Sequence, residues 1–148
     1  MIEFVIDIDK GLTSPQSDLF KGLDGNPSEV FRRELDQSAA AILNRLRTTY
    51  LLEQDPTGAS WTPSPTANKR KAAGGSGLLF KTGRLFRSIQ LVRGDADERV
   101  IRTDVPYAPF HQFGTKRLPK REFLTVTPEH EKLAESIFLN KLNEMAAS

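Results

Sequence analysis

The two histidines are the first candidates for chemistry, because imidazole serves as a general base and as a metal ligand. The chain has no cysteine and no His-x-x-x-His spacing, which excludes thiolate chemistry and the common zinc sites. His130 lies between Glu129 and Glu131 at a predicted helix start and is expected to face solvent. His111 lies in an aromatic segment, where a structural hydrogen bond is favoured over a role as general base. The histidines therefore predict no catalytic centre.

Acidic and glycine-rich segments give equally little sign of catalysis. Asp7 and Asp9 share one face of a predicted strand, a pattern that suits a bound cation or simply the acidic edge of a sheet. Residues 95–98 are acidic but lack the ligand number and the sixth-position glycine of a calcium loop. Residues 74–77, Gly-Gly-Ser-Gly, depart from the phosphate-loop pattern and predict a flexible linker. We therefore predict no metal, no cofactor and no enzymatic activity.

Charge is strongly segregated along the chain, although the net charge is only +2. Residues 1–60 carry 6 Lys/Arg against 10 Asp/Glu, residues 61–121 carry 13 against 4, and residues 122–148 carry 2 against 5. A basic centre between acidic ends indicates an anionic partner, contact between neighbouring copies, or a solvated surface with clustered charge. No helix-turn-helix or RNA-binding signature accompanies the basic residues, so any nucleic-acid contact is expected to be independent of base sequence.

Hydrophobic periodicity predicts an α+β fold in a single domain, residues 1–148. Residues 2–9 predict a strand, and a long amphipathic helix is expected to start at an Asn26 cap and to end near Gln54. The expected architecture is a mostly antiparallel sheet of about four strands packed against this long N-terminal-half helix and a C-terminal helix. The other predicted elements follow in chain order. They are helical turns at 82–89 capped by Thr82, a hairpin of residues 88–94 and 99–104, a short helix or irregular segment at 106–114 that is aromatic on one side, a strand at 122–127 and a helix from Pro128.

Residues 55–77 separate the long helix from the later elements and are rich in proline and glycine. We predict a flexible loop or arm there, because a long segment without regular structure is usually functional or disordered. Trp61, the only tryptophan, lies in this segment. Its ring is expected to be buried either in the core of the chain itself or against a partner.

Four segments in a fixed order resemble the phage virion morphogenesis family, which includes tail-completion and head–tail connector proteins of tailed bacteriophages. They are Trp61-Thr62-Pro63, the run from Leu79 to Leu85, the run Tyr-Ala-Pro-Phe-His-Gln-Phe-Gly at 107–114, and the run from Leu118 to Leu124. The resemblance spans about residues 58–126, and the long preceding helix also fits it.

This resemblance implies a structural virion protein that forms a ring at the head–tail junction and supports head–tail joining. The ring would act as tail completion protein, tail terminator or neck connector, with a hexamer favoured. Its neighbours would be neck or connector proteins and tail-tube or sheath proteins, and non-specific contact with genomic DNA in the channel stays open. The implied location is the neck or tail of the virion, assembled in the host cytoplasm. No segment approaches the ~20 apolar residues of a membrane span, so no membrane partner is predicted.

The candidate assembly residues combine basic side chains with polar-tipped aromatic ones, a composition typical of interfaces. The alternative function is a nucleic-acid-binding module that uses the basic residues of segment 69–121 without sequence specificity. The full candidate set is Trp61, Lys69, Arg70, Lys71, Arg84, Tyr107, His111, Gln112, Lys116, Arg117, Arg121 and Phe123.

Overall fold

The computed structural model describes residues 2–7, 31–75, 77–80, 82–93 and 98–147 of the chain. The strands within these residues are β1 (Ile2–Asp7), β2 (Gln90–Arg93) and β3 (Glu98–Thr103). The combination of helices with a small sheet confirms the predicted mixture of α and β structure. The helices within the same residues are, in chain order, α1 (Arg32–Leu51), α2 (Pro65–Ala72), α3 (Arg84–Ser88), α4 (Ala108–Phe113) and α5 (Pro128–Ala147).

The strands form one sheet in the order β1-β3-β2. Only residues 94–97 join β2 to β3, which is too short for a parallel crossover, so these two strands form the predicted antiparallel hairpin. The count of about four strands is not confirmed, because the described residues contain three.

The strand predicted at residues 122–127 is wrong, since the backbone there pairs with a side chain instead of a neighbouring strand. The Oε1 atom of Gln112 accepts hydrogen bonds from the N–H groups of Phe123 and Leu124, each at 3.0 Å. The Nε2 atom of Gln112 donates to the carbonyl of Leu124 at 3.0 Å. Buried backbone groups need a partner, and here one amide side chain supplies it.

Helix α1 ends at Leu51, three residues before the predicted end. Glu53 follows in the left-handed conformation, with φ of 58°. Its N–H donates to the carbonyl of Tyr50, and the N–H of Gln54 donates to that of Thr49. These are the two hydrogen bonds of a left-handed helix C-cap, a position usually held by glycine. The expected cap at Asn26 and the strand residue Asp9 lie outside the described residues.

The expectation of little regular structure in residues 55–77 is wrong for helix α2. Ser64 is its N-cap, and the Ser64 hydroxyl accepts a hydrogen bond from the Ala67 N–H at 3.4 Å. Pro65 takes the first helical position, where its missing N–H costs nothing. The Ser-Pro pair thus starts a helix in a segment that we interpreted as a proline-rich loop.

The described residues divide into two compact units. Unit 1 is drawn from residues 1–3, 45–90 and 102–125, and unit 2 from residues 4–44, 91–101 and 126–148. The core of unit 1 is aromatic and is centred on Tyr50, whose ring lies 5.2 Å from Trp61, 5.3 Å from Phe86 and 5.8 Å from Phe123, centre to centre.

Unit 2 has a mixed apolar core in which Phe31 packs edge-on against Phe138, with ring centres 5.8 Å apart. Buried residues of α1, including Leu35 and Ile42, belong to the same core. Arg99 of β3 is also buried here and forms an ion pair with Asp36. A buried arginine needs such a partner, because an uncompensated charge in a core is strongly unfavourable.

His130 does not face solvent as predicted, since only 3% of its surface is exposed. Its Nδ1 atom accepts a hydrogen bond from the Thr127 N–H, and the Thr127 hydroxyl accepts one from the His130 N–H. This reciprocal arrangement is a capping box in which histidine replaces the usual glutamate or glutamine. Burial follows because the imidazole must turn back over the helix start to make the bond.

Candidate assembly surface

The described residues give no support for a metal centre. None of their His, Asp and Glu side chains form a group of three or more that could hold a metal ion. The helices in the described ranges are all too short or too polar to cross a bilayer.

A cavity of about 340 Å³ in unit 1 brings together five of the predicted site residues. They come from three separate parts of the chain: helix α2, the start of α3, and the segment 107–121. None of the described residues that line the cavity is acidic, and three are arginines. The predicted residues in its wall are Arg70, Arg84, Tyr107, His111 and Arg121. We call this feature the arginine cavity.

Helix α2 places Arg70 in the cavity wall. The Arg70 Nη2 atom donates a hydrogen bond to the Gly77 carbonyl at 2.8 Å, which closes the chain that follows α2 back onto the helix. Ala67 lies one turn earlier on α2 and is buried, so the apolar part of the wall begins beside the guanidinium. The helix capped by Ser64 is therefore what positions the first of the three arginines.

Helix α3 places Arg84 at the cavity, and this helix begins after a residue in the left-handed conformation. Its N-cap is Gly83, with φ of 74°, and not Thr82 as predicted. The Thr82 hydroxyl still accepts a hydrogen bond from the Arg84 N–H at 3.3 Å. A Cβ atom on Gly83 would lie 2.6 Å from an Arg87 nitrogen, so glycine suits both the conformation and the space. The Arg84 guanidinium carbon lies 5.8 Å from the centre of the Tyr107 ring, within the range of a cation–π contact.

Helix α4 and the residue before it supply Tyr107 and His111, whose rings meet edge to face at 6.1 Å. The His111 Nδ1 atom is buried without a hydrogen-bond partner among the described residues. Burial lowers the pKa of His111, and the positive charge of Arg121 lowers it further. His111 is therefore neutral at physiological pH and is poorly suited to be a cation in this wall.

Arg121 is the most deeply buried of the three arginines, with 6% of its surface exposed. Its Nε donates to the Thr62 carbonyl at 2.9 Å, and its Nη2 donates to the Pro63 carbonyl at 3.4 Å. These are neutral acceptors, and no described carboxylate pairs with the guanidinium. Burial lowers the pKa of Arg121. Its positive charge is thus largely removed from water without a compensating negative charge.

Three other predicted residues are buried inside unit 1. Trp61 docks on the core of its own chain, and its indole N–H donates to the Glu122 carbonyl at 2.7 Å. Phe123 packs against Tyr50, and Gln112 pairs with the backbone that contains Phe123. Their described contacts are internal, and each holds a segment of the chain that carries a motif of the resemblance.

The remaining predicted residues are exposed cations outside the arginine cavity. Lys71 forms an ion pair with Glu53, and Lys69 is exposed on α2. Lys116 and Arg117 lie in a turn after α4, in which the Thr115 hydroxyl accepts hydrogen bonds from two backbone N–H groups.

The candidate set from the sequence left out the exposed aromatic face of α4, although the segment was expected to be aromatic on one side. Phe110 and Phe113 are 53% and 67% exposed, which is unusual for side chains of this size. Their spacing of three residues places them on one side of the helix, next in sequence to Lys116 and Arg117. We call these four residues the aromatic–basic patch. The spacing and the following basic turn were visible in the sequence and could have identified it.

The comparison with known proteins decides the family. The sequence model of the phage virion morphogenesis family matches residues 18–143, which is most of the chain. The chain belongs to this family. The motifs that suggested the resemblance contain the buried residues Trp61, Gln112 and Phe123 and part of the wall of the arginine cavity, and the resemblance is confirmed. The family is one of virion assembly, so the chain has a role in building a bacteriophage virion.

One curated relative supports the same assignment. The Mu-like prophage FluMu G protein 1 of Haemophilus influenzae is 32% identical over 119 residues, which cover 76% of this chain and 81% of the relative. No solved structure matches the chain significantly.

Proposed function

We propose that the chain is a structural subunit that forms a ring at the head–tail junction of a tailed phage and supports head–tail joining. Family membership supports a role in the virion. The aromatic–basic patch is the observation that carries the rest, because it has the composition of an interface and lies on the surface of unit 1. The ring would serve as a tail completion protein, tail terminator or neck connector.

The patch fits an interface for a physical reason. Exposed aromatic side chains such as Phe110 and Phe113 leave apolar surface in contact with water. Burying that surface in an interface contributes a favourable free energy of about 25 cal/mol per Å². Adjacent cations such as Lys116 and Arg117 steer an acidic partner and reject a basic one. Exposed apolar groups rimmed by charge mark interaction sites in soluble proteins.

The distribution of charge between the two units supports the proposed ring. Repeating one heterologous contact by rotation closes a ring, and such a contact joins two different surfaces of the same chain. Unit 1 is basic and unit 2 is acidic, so unit 1 of one copy attracts unit 2 of the next. We favour six copies, the symmetry of phage tails. Neck or connector proteins and tail-tube or sheath proteins would contact the two faces of the ring.

The decisive experiment is electron microscopy of particles from an infection in which this gene is deleted. We expect separate DNA-filled heads and unattached tails, with joined virions restored by the wild-type gene in trans. Tails of abnormal length would place the ring on the tail side of the junction. Normal joined virions would overturn the proposal.

Complementation with variants tests the patch itself. Phe113→Ser should restore joined virions poorly, because it removes an exposed aromatic group from the interface without touching the core. Leu51→Ser removes a similarly exposed apolar side chain from α1, 59% against 67%, and should complement like wild type. Equal complementation by both variants would show that the patch is not an interface.

Binding to DNA is the alternative outcome. Under the proposed function, the purified chain should bind unrelated duplex DNA only weakly. If its basic residues contact phosphates, the affinity for DNA should fall steeply as the salt concentration rises. Tight salt-dependent binding combined with normal virions from the deletion strain would favour a nucleic-acid-binding module.

A further inference from the structure

We propose that the arginine cavity is a receptor for a carboxylate, and that in the assembled ring a glutamate of helix α5 from a second copy occupies it. The charge of the cavity wall favours an anionic ligand. Arg121 is nearly buried, and its described partners are carbonyl oxygens, which carry no net charge. A buried guanidinium is costly unless an anion pairs with it. The cavity beside Arg121 is where such an anion would enter.

The other side chains of the wall also favour an anion in the cavity. Arg84 is exposed and has a cation–π contact with Tyr107 but no carboxylate among the described residues. Arg70 lines the same space, while the described part of the lining contributes no acid of its own. Two or more guanidinium groups around one cavity form the planar, multidentate donor set that binds carboxylates and phosphates.

The apolar part of the wall favours a carboxylate on an aliphatic stem over a DNA phosphate. Ala67, Leu78 and Leu85 are buried residues that line the cavity beside the arginines. The two methylene groups of a glutamate would pack against them while the carboxylate reaches the guanidinium groups. A phosphodiester in a DNA backbone carries a sugar on both sides and is better matched by an open basic groove.

Helix α5 supplies the matching anions. Glu129, Glu131, Glu135 and Glu144 lie on this helix, and none forms an ion pair within the described part of the chain. The helix carries two lysines against these four acids. A contact between α5 of one copy and the arginine cavity of the next is heterologous, as a closed ring requires. This inference about the occupant rests on the proposed ring.

The chemistry of the cavity can be tested without assembly. The full chain is titrated with the methylamide of N-acetylglutamate, which carries a single side-chain carboxylate, and the arginine Nε–H signals are followed by NMR. We expect saturable shifts of the Arg121 and Arg84 signals, and about tenfold weaker binding in Arg84→Gln. Arg84 is exposed, so this variant should fold even where Arg121→Gln does not. Arg45→Gln, an exposed arginine on α1, is the matched control and should bind within about twofold of wild type.

Two results would overturn the carboxylate receptor. One is the absence of saturable shifts at Arg121 and Arg84 at high probe concentration. The other is tighter binding of dimethyl phosphate than of the glutamate probe, which would make a nucleic-acid backbone the better ligand.

The second copy is tested by sedimentation of the full chain and by charge reversal. Arg84→Glu should weaken self-association by at least about tenfold, and Arg45→Glu by less than about twofold. Reversing the contacting glutamate, tested one at a time from Glu129 to Glu144, should restore association of the Arg84→Glu variant. Equal effects of the two arginine reversals would exclude the cavity as the contact. A chain that is monomeric in solution and in cross-linked virions would overturn both the ring and this occupant, while the probe titration would still report the cavity chemistry.

Discussion

The two units of this chain differ most in charge. Unit 1 spans residues with 13 Lys/Arg against 5 Asp/Glu, and unit 2 spans residues with 8 against 14. A net charge of +2 therefore conceals one basic and one acidic unit of similar size. All twelve residues predicted to act in assembly belong to unit 1. The charge segregation seen along the sequence therefore corresponds to a difference in charge between the two units.

The cores differ as well. Unit 1 is built around the buried phenol of Tyr50, which donates to the Leu79 carbonyl, and burial raises the pKa of this group. Unit 2 relies on the pair of Phe31 and Phe138 and on the buried arginine of β3. Stability in unit 1 should thus depend on aromatic packing, and stability in unit 2 partly on an ion pair.

Phe123→Ala should have the largest effect, because it removes a fully buried ring from the aromatic core of unit 1. We expect a loss of about 3–5 kcal/mol in the free energy of unfolding, measured by chemical denaturation. Phe113→Ala, at an exposed position of the same unit, should change it by less than about 0.5 kcal/mol. Similar losses in the two variants would contradict the assigned core.

Asp36→Ala tests the ion pair of unit 2. It removes the Asp36 carboxylate from its ion pair with the buried Arg99 guanidinium. Because Asp36 itself is partly exposed, we expect a loss of about 1–3 kcal/mol, below the usual value for a fully buried pair. Glu144→Ala removes an exposed acid from the same unit and serves as the control for the charge change. Denaturation curves that coincide for the two variants would show that the pair contributes nothing.

Local patterns in the sequence were sufficient for most elements. The hairpin, the short helix around Pro109 and the helix from Pro128 depend on alternation and on start signals within a few residues. The end of α1 escaped prediction because Glu53 adopts a conformation that usually requires glycine. The burial of His130 was not predicted because a capping box rarely uses histidine.

Contacts between distant residues could not be predicted from those patterns. The false strand at 122–127 has strand-like residues, but its backbone partner is a side chain ten or more positions earlier, that of Gln112. The arginine cavity depends on three segments that the fold brings together, so its three arginines appeared in the sequence only as separate basic residues. The family resemblance covers the part of the chain that contains them, and the structure shows that they line the same cavity.

Thr127→Ala, in unit 2, should lower the free energy of unfolding less than the two substitutions above. It removes the hydroxyl that caps the start of α5 and accepts the His130 N–H. We expect a loss of about 1 kcal/mol by chemical denaturation, the usual value for an N-cap. Thr66→Ala, an exposed threonine on α2, is the control and should be close to neutral. If Thr127→Ala were equally neutral, the reciprocal cap would not contribute to stability.

Glu53→Gln should have the smallest effect, and one that depends on pH. Burial alone would raise the pKa of Glu53, but the hydrogen bonds from Lys71 and the Leu78 N–H outweigh it, so the folded pKa is lowered. A lowered folded pKa means that the ionised carboxylate stabilises unit 1 above the ordinary glutamate pKa of about 4.3. This contribution disappears as pH falls through the folded value. Denaturation across this range should therefore show wild type more stable than Glu53→Gln at pH 7 and the difference closing in acid. Asp104→Asn, an exposed acid in unit 1, provides the matched charge change. A difference that stays constant with pH would mean that the amide and the carboxylate differ in packing and not in charge.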